Sequence, residues 1–251
     1  MAMNKPAILF IHGFPFDREM WRPQFEWLLD WHCVAPNLRG AGTAVAPLSP
    51  DAYSMHTYAQ DLIGVLDQQR IERVVVCGLS MGGYITFELL RQVPNRLRAL
   101  VLCNTKSAAD TSDGKRGRDA LAEKARARGT SAVAEELVPK LLARQTREEH
   151  PDIVREVSEM IERQPVAGVV GALHALRDRP DSTPLLGRIQ VPVLVIAGED
   201  DQITPQAGMQ EMAHAIPNAE FVIIGAAGHL TPVEQPGAVN AAIETFLEKL
   251  V

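Results

Sequence analysis

Six short, almost unbroken apolar runs punctuate this chain: Ala7–His12 (AILFIH), His32–Pro36 (HCVAP), Arg73–Cys77 (RVVVC), Leu97–Cys103 (LRALVLC), Val191–Ala197 (VPVLVIA) and Ala219–Ile224 (AEFVII). A strand with one face in water alternates apolar and polar residues, whereas a strand covered on both faces is apolar throughout. Between the runs lie amphipathic stretches at helical spacing, roughly Tyr58–Gln69, Met81–Gln92, Pro205–Ala215 and Pro236–Leu250. Strand alternating with helix predicts an α/β architecture, a doubly wound, mostly parallel sheet of about six strands. The 251 residues suit one large domain with an inserted element better than two independent domains.

One stretch breaks the rhythm. From Lys106 to Arg188 no run reads as a strand, charge is concentrated (Lys115-Arg116-Gly117-Arg118, Arg147-Glu148-Glu149), and apolar residues recur at helical spacing: Leu137, Leu141 and Leu142, then Ile153, Val157, Met160 and Ile161. The expected organisation is a core of residues 1–105 and 189–251 with residues 106–188 as a helical lid insertion. A lid would shape a substrate pocket, since insertions on a rigid scaffold tend to carry specificity. The plainer alternative is a charged, solvated cover with no chemical role.

Composition excludes several classes. The net charge of −6 offers no general attraction to nucleic acid or to an anionic membrane. The first apolar run, Ala7–Ile11, follows Met1–Pro6 directly and is too short for a signal peptide or a membrane span. Cys33, Cys77 and Cys103 are odd in number and form no disulfide framework, which fits buried core residues and a reducing cytoplasm. No His/acid spacing of the H-E-x-x-H kind is present, so neither metal nor cofactor is expected. The sequence does not reveal an oligomeric state.

The chemistry centres on Gly78-Leu79-Ser80-Met81-Gly82-Gly83, a G-x-S-x-G placed between a strand and a helix. The sharp turn needs small flanking residues, which Gly78 and Gly82 supply. It lifts Ser80 at the strand's carboxyl end, over a helix amino terminus that favours developing negative charge. A serine hydroxyl needs a base. Of seven histidines, His12 and His32 adjoin early strands, where ordinary hydrogen bonding accounts for them, and His56, His150, His174 and His214 fall in helical or linker context. His229 follows the last strand in Gly225-Ala226-Ala227-Gly228-His229, at the sheet edge where ligands gather in open α/β folds. The base needs a carboxylate to hold its tautomer. Glu199, Asp200 and Asp201 follow the fifth strand, and spacing alone does not separate Asp200 from Asp201. The oxyanion donors are expected to be the amides of Met81 and, in the loop after the first strand, Phe14. Phe16 and Trp21 are candidates for the wall of an acyl pocket or for simple core packing. His174 and Leu230 are further pocket candidates.

These residues resemble the α/β-hydrolase superfamily. The opening His12–Trp21 (H-G-F-P-F-D…M-W) is similar to its small esterase, aryl esterase and 3-oxoadipate enol-lactonase branch, as are Leu38-Arg39-Gly40, Gly78–Gly83, Arg179-Pro180-Asp181, Gly198–Pro205 and Gly228-His229. The resemblance implies an acid in G-x-x-D-x-x-x-P, which selects Asp201, and oxyanion amides at Phe14 and Met81. It also implies a hairpin ahead of the first strand that this sequence lacks, so six strands are expected in place of eight. Asn37-Leu38-Arg39-Gly40-Ala41-Gly42-Thr43 departs from the usual D-x-R-G-x-G-x-S at a structural turn. The implied activity is carboxylic ester hydrolysis through an acyl-enzyme on a small-molecule ester or lactone. A lactone or enol-lactone hydrolase is the narrower alternative, for which Arg18, Arg177 or Arg179 could receive an anionic substrate. A cofactor-free perhydrolase would use the same three residues. A hydrolase-like ligand receptor with negligible turnover is the alternative of another class.

Overall fold

A computed structural model describes residues 5–251; Met1–Asn4 of the opening segment lie outside the described residues. Six parallel strands form one sheet in the order β2-β1-β3-β4-β5-β6: β1 (Ala7–Ile11), β2 (Cys33–Val34), β3 (Val74–Leu79), β4 (Leu97–Cys103), β5 (Val193–Gly198) and β6 (Ala219–Ile224). β1 lies one strand in from the β2 edge; the chain adds β2 outside it, crosses back to β3 and then winds outward to β6. Helices cover both faces: α1 (Arg22–Trp27), α2 (Met55–Gln68), α3 (Met81–Gln92), α4 (Ser112–Leu141), α5 (Arg144–Glu149), α6 (Pro151–Glu162), α7 (Val166–Arg177), α8 (Gln206–His214), α9 (Thr231–Glu234) and α10 (Pro236–Glu248).

The apolar runs are buried where they are central. Every residue of β1, β3 and β5 is buried, and Cys77 in β3 and Cys103 in β4 are buried free thiols. Burying a Val or Leu side chain contributes about 1.5–3 kcal/mol, so these strands carry much of the core. The edges differ. The expected strand His32–Pro36 pairs only over Cys33–Val34, because β1 offers it just Ile8 and Leu9 and Pro36 has no N–H to donate. At the other edge β6 is half-covered, and Ile223 is 48% exposed although its run is as apolar as the buried ones. The third strand runs two residues further than its apolar run, because Gly78 and Leu79 still pair with Leu102 and Cys103.

Between β4 and β5 the described chain is helical, as its spacing predicted. The long α4 is two helices joined at Gly129, whose φ of 76° breaks the regular backbone. α4 packs chiefly against α7 and α6. The buried Asp17 carboxylate pins this stretch to the loop after β1, accepting two hydrogen bonds from Arg163 and one from Gln164. Among the described residues no helix is long and apolar enough to cross a membrane.

Candidate active site

Ser80 follows the last residue of β3 and precedes the first of α3, with φ 52° and ψ −109°. A non-glycine residue there is strained and must be held by its surroundings. Its amide donates to the Cys103 carbonyl at 2.9 Å and its carbonyl accepts from the Thr105 hydroxyl at 2.8 Å. Strand and helix meet so closely that a Cβ on Gly78 would lie 2.5 Å from the Gly82 backbone, and one on Gly82 would lie 2.2 Å from the Ile11 carbonyl oxygen. The two glycines are therefore required by the turn.

Three short loops bring the other groups to Ser80. His229 Nε2 lies 2.8 Å from Ser80 Oγ, and His229 Nδ1 lies 2.9 Å from Asp201 Oδ2. With Nδ1–H directed at the carboxylate, Nε2 is left to accept from the serine hydroxyl. The loop after β5 separates the competing acids: Asp200 is exposed, whereas Asp201 is buried. Asp201 Oδ1 accepts from the amides of Ile203 and Thr204, and Oδ2 from the Thr204 hydroxyl and Asn104 Nδ2. Burial opposes ionisation, but the facing His229 and the Thr204 and Asn104 donors hold the Asp201 carboxyl well below the usual carboxylate range.

The loop Gly13–Phe14 lies against Ser80, and a Cβ on Gly13 would stand 3.6 Å from that of Ser80. Among the described residues neither the Phe14 nor the Met81 amide donates to a protein acceptor. His12 shapes this loop. Its Nε2 accepts from the Leu38 amide at 3.0 Å and its Nδ1 donates to the Gly13 carbonyl at 2.9 Å. Burial lowers the imidazole from its usual 6.5 to about 4, despite the Gly13 bond and Asp17, so it stays neutral and works as a strut.

A narrow cavity opens over Ser80 and His229, lined by Phe14, Tyr84, Arg118, Leu137, Leu141, Leu176 and Ile203. A second, small cavity lies behind the Phe14 loop and includes Phe16 and Met81. The proposed pocket residues thus separate. Phe16 reaches the second cavity. Trp21 is fully buried with its ring 5.0 Å from that of Phe10, in the core. His174 lines neither cavity and stands near Arg177 and Arg126. Leu230 is buried beside His229 and lines neither. The expected cations also lie elsewhere: Arg18 pairs with Glu19, Arg177 with Asp119 and Asp178, and Arg179 is buried, bound to Asp110 and 4.3 Å from the Tyr84 ring centre.

Sequence reasoning missed three groups. Asn104, at φ 45° after β4, donates to Asp201 and to the Gly228 carbonyl and accepts from the Thr231 hydroxyl. Glu234 sits behind His229. Arg118, from the charged start of α4, reaches the Ser80 cavity. Only Asn104-Thr105 after a buried strand carried a signal, since a polar pair at the sheet's ligand-binding edge is unusual without a task.

A parallel sheet that raises a strained serine on a glycine-flanked turn at its carboxyl edge, with a histidine in reach and a carboxylate behind it, defines the α/β-hydrolase class. The chain belongs to the alpha/beta hydrolase fold family, whose sequence model matches residues 6–236. Among curated relatives, 3-oxoadipate enol-lactonase 2 of Acinetobacter baylyi is 28% identical over 98% of this chain and 90% of its own. Among solved structures, a thermophilic esterase from Thermogutta terrifontis with malate bound is 38% identical with a TM-score of 0.93, covering 98% of this chain and 90% of that one. The enol-lactonase from Burkholderia xenovorans is 28% identical with a TM-score of 0.90, covering 98% and 92%.

Proposed function

We propose that this protein is a serine hydrolase that cleaves carboxylic esters of small molecules through an acyl-enzyme. The observation that carries this reading is the continuous chain Ser80 Oγ, His229 Nε2, His229 Nδ1 and Asp201 Oδ2, with steps of 2.8 and 2.9 Å at its two ends. Ser80 attacks the ester carbonyl while His229 takes its proton, and Asp201 stabilises the imidazolium. The tetrahedral oxyanion is held by the uncommitted amides of Phe14 and Met81. His229 returns the proton to the leaving alcohol, and water then releases the acid by the same steps in reverse. The helical stretch 106–188 acts as a cap, and its Leu137, Leu141 and Leu176 give the cavity an apolar wall. The test is turnover of short p-nitrophenyl esters by the parent chain and by Ser80→Ala. Activity in the parent and its loss by at least about 10⁴-fold in the variant are expected. Undiminished turnover by Ser80→Ala would sink the reading.

A second, narrower reading is that the substrate carries a carboxylate, as an acid-bearing ester or lactone would. Arg118 favours it. Its Nε donates to Asp110 Oδ2 at 3.1 Å, while among the described residues neither terminal nitrogen has an acceptor. Asp110 is already shared with Arg179 at 2.8 Å and Lys106 at 3.9 Å, so the cluster keeps net positive charge beside the cavity. A guanidinium edge suits a carboxylate. The malate bound to the esterase relative and the 3-oxoadipate that names the Acinetobacter lactonase support the same chemistry.

A further inference from the structure

Glu234 lies in α9, five residues after His229, and is buried. Its side chain has no hydrogen bond to Ser80 or Asp201, and the reaction outlined above has no task for it. All its partners are hydrogen-bond donors. Oε1 accepts from the Gly228 amide at 2.9 Å and the Leu230 amide at 3.2 Å, the residues on either side of His229. Oε2 accepts from the Ala143 amide at 2.8 Å, in the turn between α4 and α5, and from the Thr146 hydroxyl at 2.7 Å, in the first turn of α5. The His229 amide itself donates to the Leu141 carbonyl at 2.8 Å. A Cβ on Gly228 would lie 2.6 Å from the Ala143 amide nitrogen, so the histidine loop and the α4–α5 turn are in direct backbone contact.

Four donors converging on two oxygens suit a carboxylate; three of them are amides that can only donate, and the Thr146 hydroxyl alone could turn to accept from a side-chain donor. Burial pushes the Glu234 carboxyl above its ordinary range, while the Thr146 hydroxyl and the Ala143, Gly228 and Leu230 amides pull it back. A buried charge of this kind persists only where its partners are complete. The arrangement also spans the two parts of the molecule that must agree in position. Gly228–Leu230 carries the imidazole, and Leu141, two residues before Ala143, forms part of the cavity wall.

We propose that Glu234 is a positioning residue. Its carboxylate fixes the His229 backbone through Gly228 and Leu230, and ties that backbone to the α4–α5 turn, so that the base and the apolar wall over it hold one register. This rests on the reading of His229 as the base. A shift of about 1 Å in such a group costs on the order of 10²-fold in rate, so loss of the clamp acts on kcat more than on KM.

The test uses the full chain, p-nitrophenyl acetate and three variants. Glu234→Ala is expected to lower kcat about 30-fold or more with KM within about threefold. Glu234→Met keeps much of the volume without the acceptors and reads the same quantity should the alanine variant not fold. Glu234→Gln can keep its oxygen on Gly228 and Leu230 and turn its amide nitrogen to Thr146, whose hydroxyl can accept. It is expected to retain kcat to within a few fold, about 1 kcal/mol in barrier. Hydrogen exchange should then quicken at the Ala143 amide alone in Glu234→Gln, and at Ala143, Gly228 and Leu230 in the other two. Folded Glu234→Ala or Glu234→Met with the parent's kcat overturns the proposal, as does a Glu234→Gln as slow as either. A parent with no turnover overturns the hydrolase reading instead, and leaves the exchange pattern to report whether the clamp exists.

Discussion

The carboxyl edge of the sheet and the helical stretch above it contribute to one cavity in opposite ways. The edge offers Ser80, Asp201 and His229 on short loops that leave rigid strands: the Ser80 backbone is held on both sides, and the Asp201 and His229 side chains each have more than one partner. Asp201 alone accepts from two amides, a hydroxyl, a carboxamide and an imidazole. The helical stretch offers Arg118, Leu137, Leu141 and Leu176 from helices whose apolar faces join the core, with polar ties that include Glu234 on Ala143 and Thr146 and Asp17 on Arg163. The contrast teaches where a change is tolerated. At the edge a group is over-determined and its loss leaves buried partners unpaired; above it, a part-exposed side chain such as Arg118 can be exchanged with its surroundings intact, and selectivity shifts before folding does.

The strongest way to break this comparison is Asp201→Asn. The amide nitrogen would face donors from Ile203, Thr204 or Asn104, and His229 would lose the partner that holds its tautomer. The expected loss in kcat is about 10⁴-fold, measured on a short p-nitrophenyl ester. A loss below about tenfold would show that the edge is less tightly determined than its hydrogen bonds imply. Next is Gly82→Ala, whose Cβ would meet backbone at the Ile11 carbonyl oxygen. It should lower stability on the order of 3 kcal/mol, read from urea unfolding at pH 7.

The edge was legible in the sequence because its rules are local. A strained serine needs Gly78 and Gly82 within two residues, and an open parallel sheet puts its loops on one side. Asp200 and Asp201 could not be separated by spacing, since the choice depends on which carboxyl meets Asn104 and His229 across the sheet. The Lys106–Arg188 stretch was legible as helix and little else. Arg118 sits in a charged run that reads as solvated surface, and only the packing of α4 on α7 turns it to the cavity. Trp21 failed as a pocket residue for a related reason: an aromatic after a strand fits a core as well as a wall, and the neighbouring Phe10 decides.

Acid should distinguish the edge again. His12 is buried, with its imidazole lowered from 6.5 to about 4, so between these values the unfolded chain binds a proton that the folded chain does not. Stability therefore falls as pH drops through this window, by up to about 3 kcal/mol from this group. Glu234, pushed the other way by burial, acts with the opposite sign, and the lowered carboxylates Asp17, Asp110 and Asp201 lose their contribution only below the usual carboxylate range. The difference between the parent and His12→Asn in urea unfolding from pH 7 to pH 4 isolates the imidazole. Parallel curves would remove His12 as the neutral strut of the Phe14 loop.

Above the edge the expected effects are on choice of substrate. Arg118→Leu should lower kcat/KM for a monoester of a dicarboxylic acid about 10–100-fold relative to a neutral ester of the same alcohol, the value of a charged hydrogen bond. The parent's midpoint of unfolding should be almost kept, because Arg118 is only half-buried and its Asp110 partner retains Arg179. Equal losses on both esters would mean that Arg118 shapes the cavity and does not read charge.

The smallest effect sharpens the comparison from the helical side. Gly117 lies inside α4, next to Arg118, and a Cβ added there would have nothing within 4 Å. The contrast with Gly82 is complete: one glycine is required by a turn, the other only leaves its helix less ordered. Gly117→Ala removes conformational freedom from the unfolded chain at a position whose backbone alanine already fits, so stability should rise by about 0.5–1 kcal/mol. At this chain length that is a gain of about 1–4 °C in Tm. Turnover of a neutral ester should not change, because the edge residues that carry it do not depend on the order of this helix. A fall in kcat with that gain in Tm would mean that α4 must loosen for the reaction to turn over, and the division between a fixed edge and an exchangeable cover would have to be redrawn.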